Sequence, residues 1–243
     1  MGKRDRALVA AVSILFLFLT ACSNQQSSSS GGRIRPEDGK KIGYQMELPG
    51  KGEEIAVLET NMGNIRIRLF PSAAPKAVEN FKGLIQKGYY NHLTFHRIIK
   101  NFMIQTGDPS GDGTGGQSLW NKAFADEFNQ NLLNLRGAVA MANSGKDTNG
   151  SRQNPEAFVA QYGSEWINMD KASQSYQKAY EKYGGNPYLD GYYNIAQKGH
   201  TVFGQVFDGM DVVDKIASAA TNDKGKPNEN IIIQRAEIKK YEG

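Results

Sequence analysis

The chain is poor in the groups that usually hold a metal or redox centre. Its one cysteine, Cys22, excludes an intrachain disulfide and any cysteine-based zinc site. Histidines number three, and His92 and His96 stand at a spacing that would suit a metal pair on a helix. Leu93, Phe95, Ile98 and Ile99 around them favour extended chain, in which four residues span about 13 Å, so the two cannot share one ion without a sharp bend. The glycine-rich stretch 107–116 lacks the Gly-Lys-Ser/Thr ending of a phosphate loop. It reads instead as a mobile loop that lets a peptide backbone approach closely. No metal, nucleotide or redox cofactor is expected. A basic stripe with interleaved aromatics is missing too: Lys3, Arg4 and Arg6 against Asp5 make up half of the formal +4 charge, and the other basic residues are dispersed. Nucleic acid is therefore not an expected partner.

The leader carries the next signal. Residues 1 to 6 are basic, and the apolar run Ala7 to Leu19 is thirteen residues long, short for a membrane span and suited to a signal-peptide core. Leu19-Thr20-Ala21-Cys22 resembles the lipobox of bacterial lipoproteins, which implies a diacylglyceryl thioether at Cys22 and cleavage just before it. Two acyl chains anchor stably where one does not. Arg6 excludes N-myristoylation, which needs Ser or Thr there. The expected organisation is a signal peptide over 1–21, a lipidated Cys22 with a flexible Gln/Ser/Gly-rich tether to residue 52, and one folded domain over 53–243. The expected location is the extracytoplasmic face of a bacterial cell membrane, and a monomer is expected.

Within the domain, Ile55 and Val57, then Ile65, Ile67 and Leu69, alternate with polar residues around a turn at Asn61–Asn64, the pattern of a hairpin. Pro75 opens a helix whose apolar positions are Ala77, Val78, Phe81, Leu84 and Ile85, with Gly88 as its stop. A second helix is expected over Asp211 to Ala217, and a closing strand near Ile231 to Tyr241.

The stretch that carries chemistry is Phe95-His96-Arg97-Ile98-Ile99 followed by Phe102-Met103-Ile104-Gln105. An unpaired charge inside an apolar run of strand character is costly, so Arg97 needs a reason to be there. Alternation would set Phe95, Arg97 and Ile99 on one face, and Met103 with Gln105 on one face of the next piece. A core arginine paired with a carboxylate is the plain structural reading. The pattern is not isolated, however. With Ala74-Pro75, Ala77–Phe81, Gly113–Gly116, Met141-Ala142-Asn143 and His200–Val206 in the same order, it resembles the cyclophilin family of peptidyl-prolyl cis/trans isomerases over about residues 54 to 241.

That resemblance implies a mainly β fold, an eight-stranded antiparallel barrel capped by two helices. It implies Arg97 as the catalytic residue and proline-containing polypeptides, here exported proteins, as substrates. Phe102, Met103 and Leu189 would wall the proline pocket, Gln105 would hold the carbonyl side, Asn143 with Ala142 would bind peptide backbone, and His200 would close the rim. The chemistry is consistent with an arginine. Amide resonance sets a barrier of about 18–20 kcal/mol to rotation about the prolyl bond. A fixed guanidinium donates to the nitrogen lone pair that twisting frees and gains little from the planar amide, which is differential transition-state binding.

The match breaks in places. Where the family continues Gln-Phe-Phe-Ile, this chain has Arg152-Gln153-Asn154-Pro155. One repair is a short insertion after which Ala157-Phe158-Val159-Ala160 resumes the strand and Phe158 floors the pocket. Gln153 could otherwise keep the glutamine's role, although Pro155 would interrupt an inner strand. Tyr188 replaces the family's tryptophan, so cyclosporin-type inhibitors should bind less well. Trp166, Met169, Ala172, Tyr176, Ala179, Tyr180 and Tyr183 recur at helical intervals, predicting an added helix over 165–183 that packs on the barrel. Tyr192 to Gly199 is a second insert. The altered strand leaves a second reading open, a proline-segment binding module with weak or no turnover, acting as chaperone or adhesion surface.

Overall fold

The computed structural model describes residues 40–150, 167, 168 and 170–243. The leader, Cys22, Arg152 to Pro155, Phe158, Trp166 and Met169 lie outside the described residues. Seven strands and three helices of four residues or more are described: β1 Glu54–Thr60, β2 Gly63–Leu69, α1 Pro75–Gln86, β3 Arg97–Ile99, β4 Met103–Gln105, β5 Ala138–Ala140, α2 Gln174–Tyr183, β6 Val202–Asp208, α3 Met210–Ala217 and β7 Ile233–Lys240. The fold is mainly antiparallel β.

The expected hairpin is β1–β2, paired from Ile55 with Arg68 to Thr60 with Gly63. Thr60 caps its own turn, its hydroxyl donating to the Gly63 carbonyl at 2.6 Å. One sheet runs β5-β6-β2-β1-β7 and a second holds β3 and β4. The two communicate beside β7: the Phe95 and His92 amides donate to the carbonyls of Ile231 and Ile233, and Thr94 bridges Ile232. The strand expected at 157–160 falls outside the described residues.

The alternating side chains Ala56, Leu58, Ile65, Ile67 and Leu69 face inward with Phe203, Val206 and Ile233, and the apolar face of α1 closes over them. This helix starts where Pro75 predicts, but its N-cap, Ala74, offers no side-chain acceptor. Glu127 supplies one from a distant loop, its carboxylate oxygens accepting from the amides of Lys76 and Ala77 at 3.3 and 3.0 Å. A carboxylate at a helix N-terminus satisfies orphan donors and meets the positive end of the dipole. Gly88 ends the helix with φ 71°.

Two expectations need correction. The inserted helix begins at Gln174, not 165: Ser173 caps it by accepting from the Tyr176 amide, and Ile167 before it forms a bridge with Asn194 instead. A serine oxygen that pairs with an N–H of the first turn fixes where a helix can start. Its Tyr176 and Ala179, with Ala172 just before the cap, are buried against Leu133, Leu135 and Tyr193, a cluster separate from the main sheet core. The tether also ends sooner than residue 52. Tyr44–Met46 is a single 3-10 turn, and Gln45 is fully buried, donating to the Leu133 carbonyl and to Gln205 Oε1 and accepting from the Leu133 amide.

Candidate active site

The strand pairing of β3 with β4 puts Arg97 opposite Gln105 and Ile99 opposite Met103. Residues directly opposite on one face of an antiparallel pair have side chains that touch or nearly so. The guanidinium and the amide that the sequence picked out are therefore neighbours by register alone. The turn between them works because Asn101 adopts φ 60°, a left-handed conformation that asparagine tolerates better than most. Phe95 does not share the Arg97 face. It is buried in the main core with Ile98, because regular strand begins only at Arg97 and the alternation does not extend back to it.

Arg97 is half-buried, and among the described residues no carboxylate or carbonyl holds its guanidinium. Burial pushes its pKa down from the usual arginine value, yet the guanidinium keeps its proton at any physiological pH. The structural reading of Arg97 as a core ion pair is thus not what the described residues contain. It lines a cavity of about 710 Å³ together with Phe102, Met103, Gln105, Ala142, Asn143, Leu189 and His200. Eight of the nine pocket residues expected from the sequence meet around one hollow; Phe158 lies outside the described residues. Phe102, Met103 and Leu189 belong to none of the buried apolar clusters. They are half-exposed walls, not packing residues.

The far wall is pinned by hydrogen bonds. The His200 amide donates to the Leu189 carbonyl at 3.0 Å, which fixes two wall residues to each other. His200 Nδ1 lies 2.8 Å from the Met141 carbonyl, and burial lowers the pKa of its ring. The Asn143 side chain donates to the Gly199 carbonyl at 2.8 Å. That bond ties the Asn143 side chain to the 192–199 insert.

Sequence reasoning missed the layer beneath Leu189. Asp190 is buried and accepts at Oδ1 from the Asn134 amide (2.7 Å) and Asn134 Nδ2 (2.9 Å), while Tyr180 of α2 donates its hydroxyl to Oδ2. Burial pushes the Asp190 carboxyl up to about 6, against the pull of those hydrogen bonds. The inserted helix is therefore bonded to the residue next to the pocket wall. The signal available was the helical recurrence of Tyr176 and Tyr180, but nothing in their spacing named a carboxylate partner.

The glycine-rich loop, part of which lines a second cavity, is organised by one side chain. Asp108 Oδ1 accepts from the amide and hydroxyl of Ser110, and Oδ2 from the amides of Asp112 and Gly113. Burial alone would raise its pKa; the four hydrogen bonds outweigh that and hold it at about 2. Gly115 packs so close to Asp108 Oδ1 and Ser110 Oγ that any side chain there would strike both. His92 is exposed and His96 is buried, so the two histidines occupy different environments. The His96 ring lines that second cavity, of about 280 Å³, has no hydrogen-bond partner on either nitrogen among the described residues, and is held below its usual pKa by burial.

Comparison with known proteins identifies the family. Residues 55–238 match the family model of cyclophilin-type peptidyl-prolyl cis-trans isomerases. A Staphylococcus aureus (strain USA300) protein whose name assigns it to the peptidyl-prolyl cis-trans isomerases is 42% identical over 194 residues, covering 77% of this chain and 93% of that one. A Streptococcus pyogenes protein named for both phosphatase and peptidyl-prolyl isomerase is 41% identical over 201 residues; the match covers 80% of this chain and only 40% of the streptococcal one. A crystal structure of a Cryptosporidium parvum cyclophilin, solved in the presence of the dipeptide Ala-Pro, superposes with a TM-score of 0.57 at 28% identity over 77% of this chain and 99% of that one. The chain belongs to the cyclophilin-type peptidyl-prolyl cis/trans isomerases.

Proposed function

We propose that this enzyme accelerates X-Pro isomerisation in exported proteins from a lipid anchor at Cys22, with Arg97 stabilising the twisted amide. The observation that carries the mechanism is the unclasped guanidinium of Arg97, half-buried at the edge of an apolar-walled hollow and set opposite Gln105. In that position its charge is partly desolvated and directed, so its donation to a pyramidalising prolyl nitrogen is worth more than in water. Phe102, Met103 and Leu189 receive the proline ring, Gln105 orients the carbonyl side, the backbone of Ala142 and Asn143 pairs with the peptide, and His200 closes the rim. The Ala-Pro dipeptide used with the Cryptosporidium relative supports a proline-bearing ligand for this hollow. Placement on the outer face of a bacterial cell membrane rests on the basic leader, the apolar run and the Leu-Thr-Ala-Cys motif.

The test is a prolyl-peptide isomerisation assay comparing the wild type with Arg97→Ala and Arg97→Lys. Loss of one directed donor to developing charge lowers kcat/KM about 10²- to 10³-fold. The lysine variant should recover little, because an ammonium lacks the planar fork. Equal rates in wild type and Arg97→Ala would favour the binding-module reading. For the anchor, Cys22→Ala should leave the chain unprocessed and without lipid in cell fractions; a variant still processed and retained on the membrane by lipid would refute it.

A further inference from the structure

We infer that the groove selects proline segments that carry acidic residues beside the proline, an inference that rests on the isomerase reading of the same hollow. The rim is cationic from three independent directions. Lys100 sits in the β3–β4 turn, Lys146 in the loop after Asn143, and Lys198 in the 192–199 insert, and all three are exposed and line the same hollow as Arg97. Among the described residues no carboxylate or other acceptor holds the ammonium group of any of the three; the one hydrogen bond at Lys198 is from its backbone amide to Asn194 Oδ1.

The carboxylates on the same lining are already committed. Asp126 is 2% exposed and accepts from the Asp147 amide at 2.9 Å, and Asp214 is bound by Arg136. A bound peptide therefore meets ammonium groups without internal partners and no free carboxylate among the described lining residues. Because the three cations belong to separate segments, they bracket the groove instead of marking one strip of surface. A glutamate or aspartate a residue or two from the proline would be the first acid partner these side chains have. A lysine in the same place would meet three like charges, with the lining's two carboxylates already engaged by Asp147 and Arg136.

Exposed lysine–carboxylate pairs are individually weak and fade with salt, since screening acts over about 10 Å at 0.1 M ionic strength. Two or three acting together, with the added steering of a cationic rim, favour an acidic over a neutral flank by about five- to tenfold in kcat/KM at low salt. The gain should appear mainly in KM.

The experiment measures kcat/KM of the full chain, reconstituted in uncharged detergent, on three peptides that share one X-Pro core and differ only in glutamate, glutamine or lysine on either side. Expected is the order glutamate, glutamine, lysine at about 10 mM salt, compressing toward equality at about 0.5 M. The triple variant Lys100→Glu, Lys146→Glu, Lys198→Glu should reverse that order. Wild-type turnover of the glutamine peptide against Arg97→Ala tests the isomerase reading separately, so the two can fail independently. Equal rates on all three peptides at low salt, or an acidic preference that survives in the triple variant, would overturn the inference. So would a variant that changes only partition between phosphatidylglycerol and phosphatidylcholine vesicles, which would assign the lysines to a lipid surface.

Discussion

Replacing Tyr180 with phenylalanine removes one hydroxyl and little else, and the structure fixes how its cost should depend on pH. The hydroxyl donates to the buried Asp190 carboxylate, which accepts at its other oxygen from Asn134. A hydrogen bond to an ionised group is worth about 1.5–3 kcal/mol, and its loss leaves part of a buried charge unsatisfied. Burial raises Asp190 to about 6 from the ordinary 3.8. An acid whose pKa is raised by folding takes up its proton more readily in the folded state, so between about 4 and about 6 stability falls as pH rises. At about 1.4 kcal/mol per unit, the ionised carboxylate leaves the fold roughly 3 kcal/mol less stable above pH 6 than at the acid end of that window. The Tyr180 hydroxyl opposes this by stabilising the charged form. Tyr180→Phe should therefore cost about 2 kcal/mol at pH 8 and clearly less at pH 5, where Asp190 is mostly protonated. Urea denaturation of both proteins at the two pH values measures it. An equal or larger loss at pH 5 would refute the assignment of Tyr180 as the partner of an ionised Asp190. Because Asp190 adjoins Leu189, the same variant should raise KM for prolyl peptides more than it lowers kcat.

Asp108 titrates in the opposite sense. Its carboxyl sits at about 2, below the ordinary 3.8, so the stability it lends the 108–116 loop is full above about pH 4 and is lost as pH falls toward 2; proteolysis of that loop in Asp108→Asn at pH 7 should match wild type near pH 2. Gln45→Ala removes three hydrogen bonds to Leu133 and Gln205 and should cost about 2–4 kcal/mol in urea denaturation, while an unchanged midpoint would show that this segment is not part of the folding unit. Gly115→Ala must displace Asp108 or Ser110 and should loosen the loop, read as faster amide exchange at Ser110, Asp112 and Gly113. Tyr188 in place of tryptophan should weaken cyclosporin binding, and Tyr188→Trp should restore it in a direct titration.

What could be read from the sequence follows from where information is local. Strand period placed Ile65, Ile67 and Leu69 inward, and proline and glycine marked the ends of α1, because both signals act within a few residues. Arg97 and Gln105 were recognisable because one short hairpin carries both, so register alone joins them. Gln45 was not recognisable: its partners Leu133 and Gln205 lie 88 and 160 residues away, and a lone glutamine in a polar stretch has no period. Asp190 was hidden for the same reason, since the tyrosine that binds it comes from an insertion foreign to the family pattern. The start of α2 is not legible in the periodicity because helical recurrence continues upstream through Trp166 and Met169, whereas the Ser173 cap sets the boundary.

The insert between the pocket's two wall residues stands on a closed foot. His200 is tied back to Leu189, Gly199 is gripped by Asn143, and the lack of a side chain at Gly199 lets its backbone pass against Leu189 and Gly191. The apex, where Ile195 is 60% exposed, lies beyond those ties. A reporter group or short tag placed there should travel with the enzyme without slowing it.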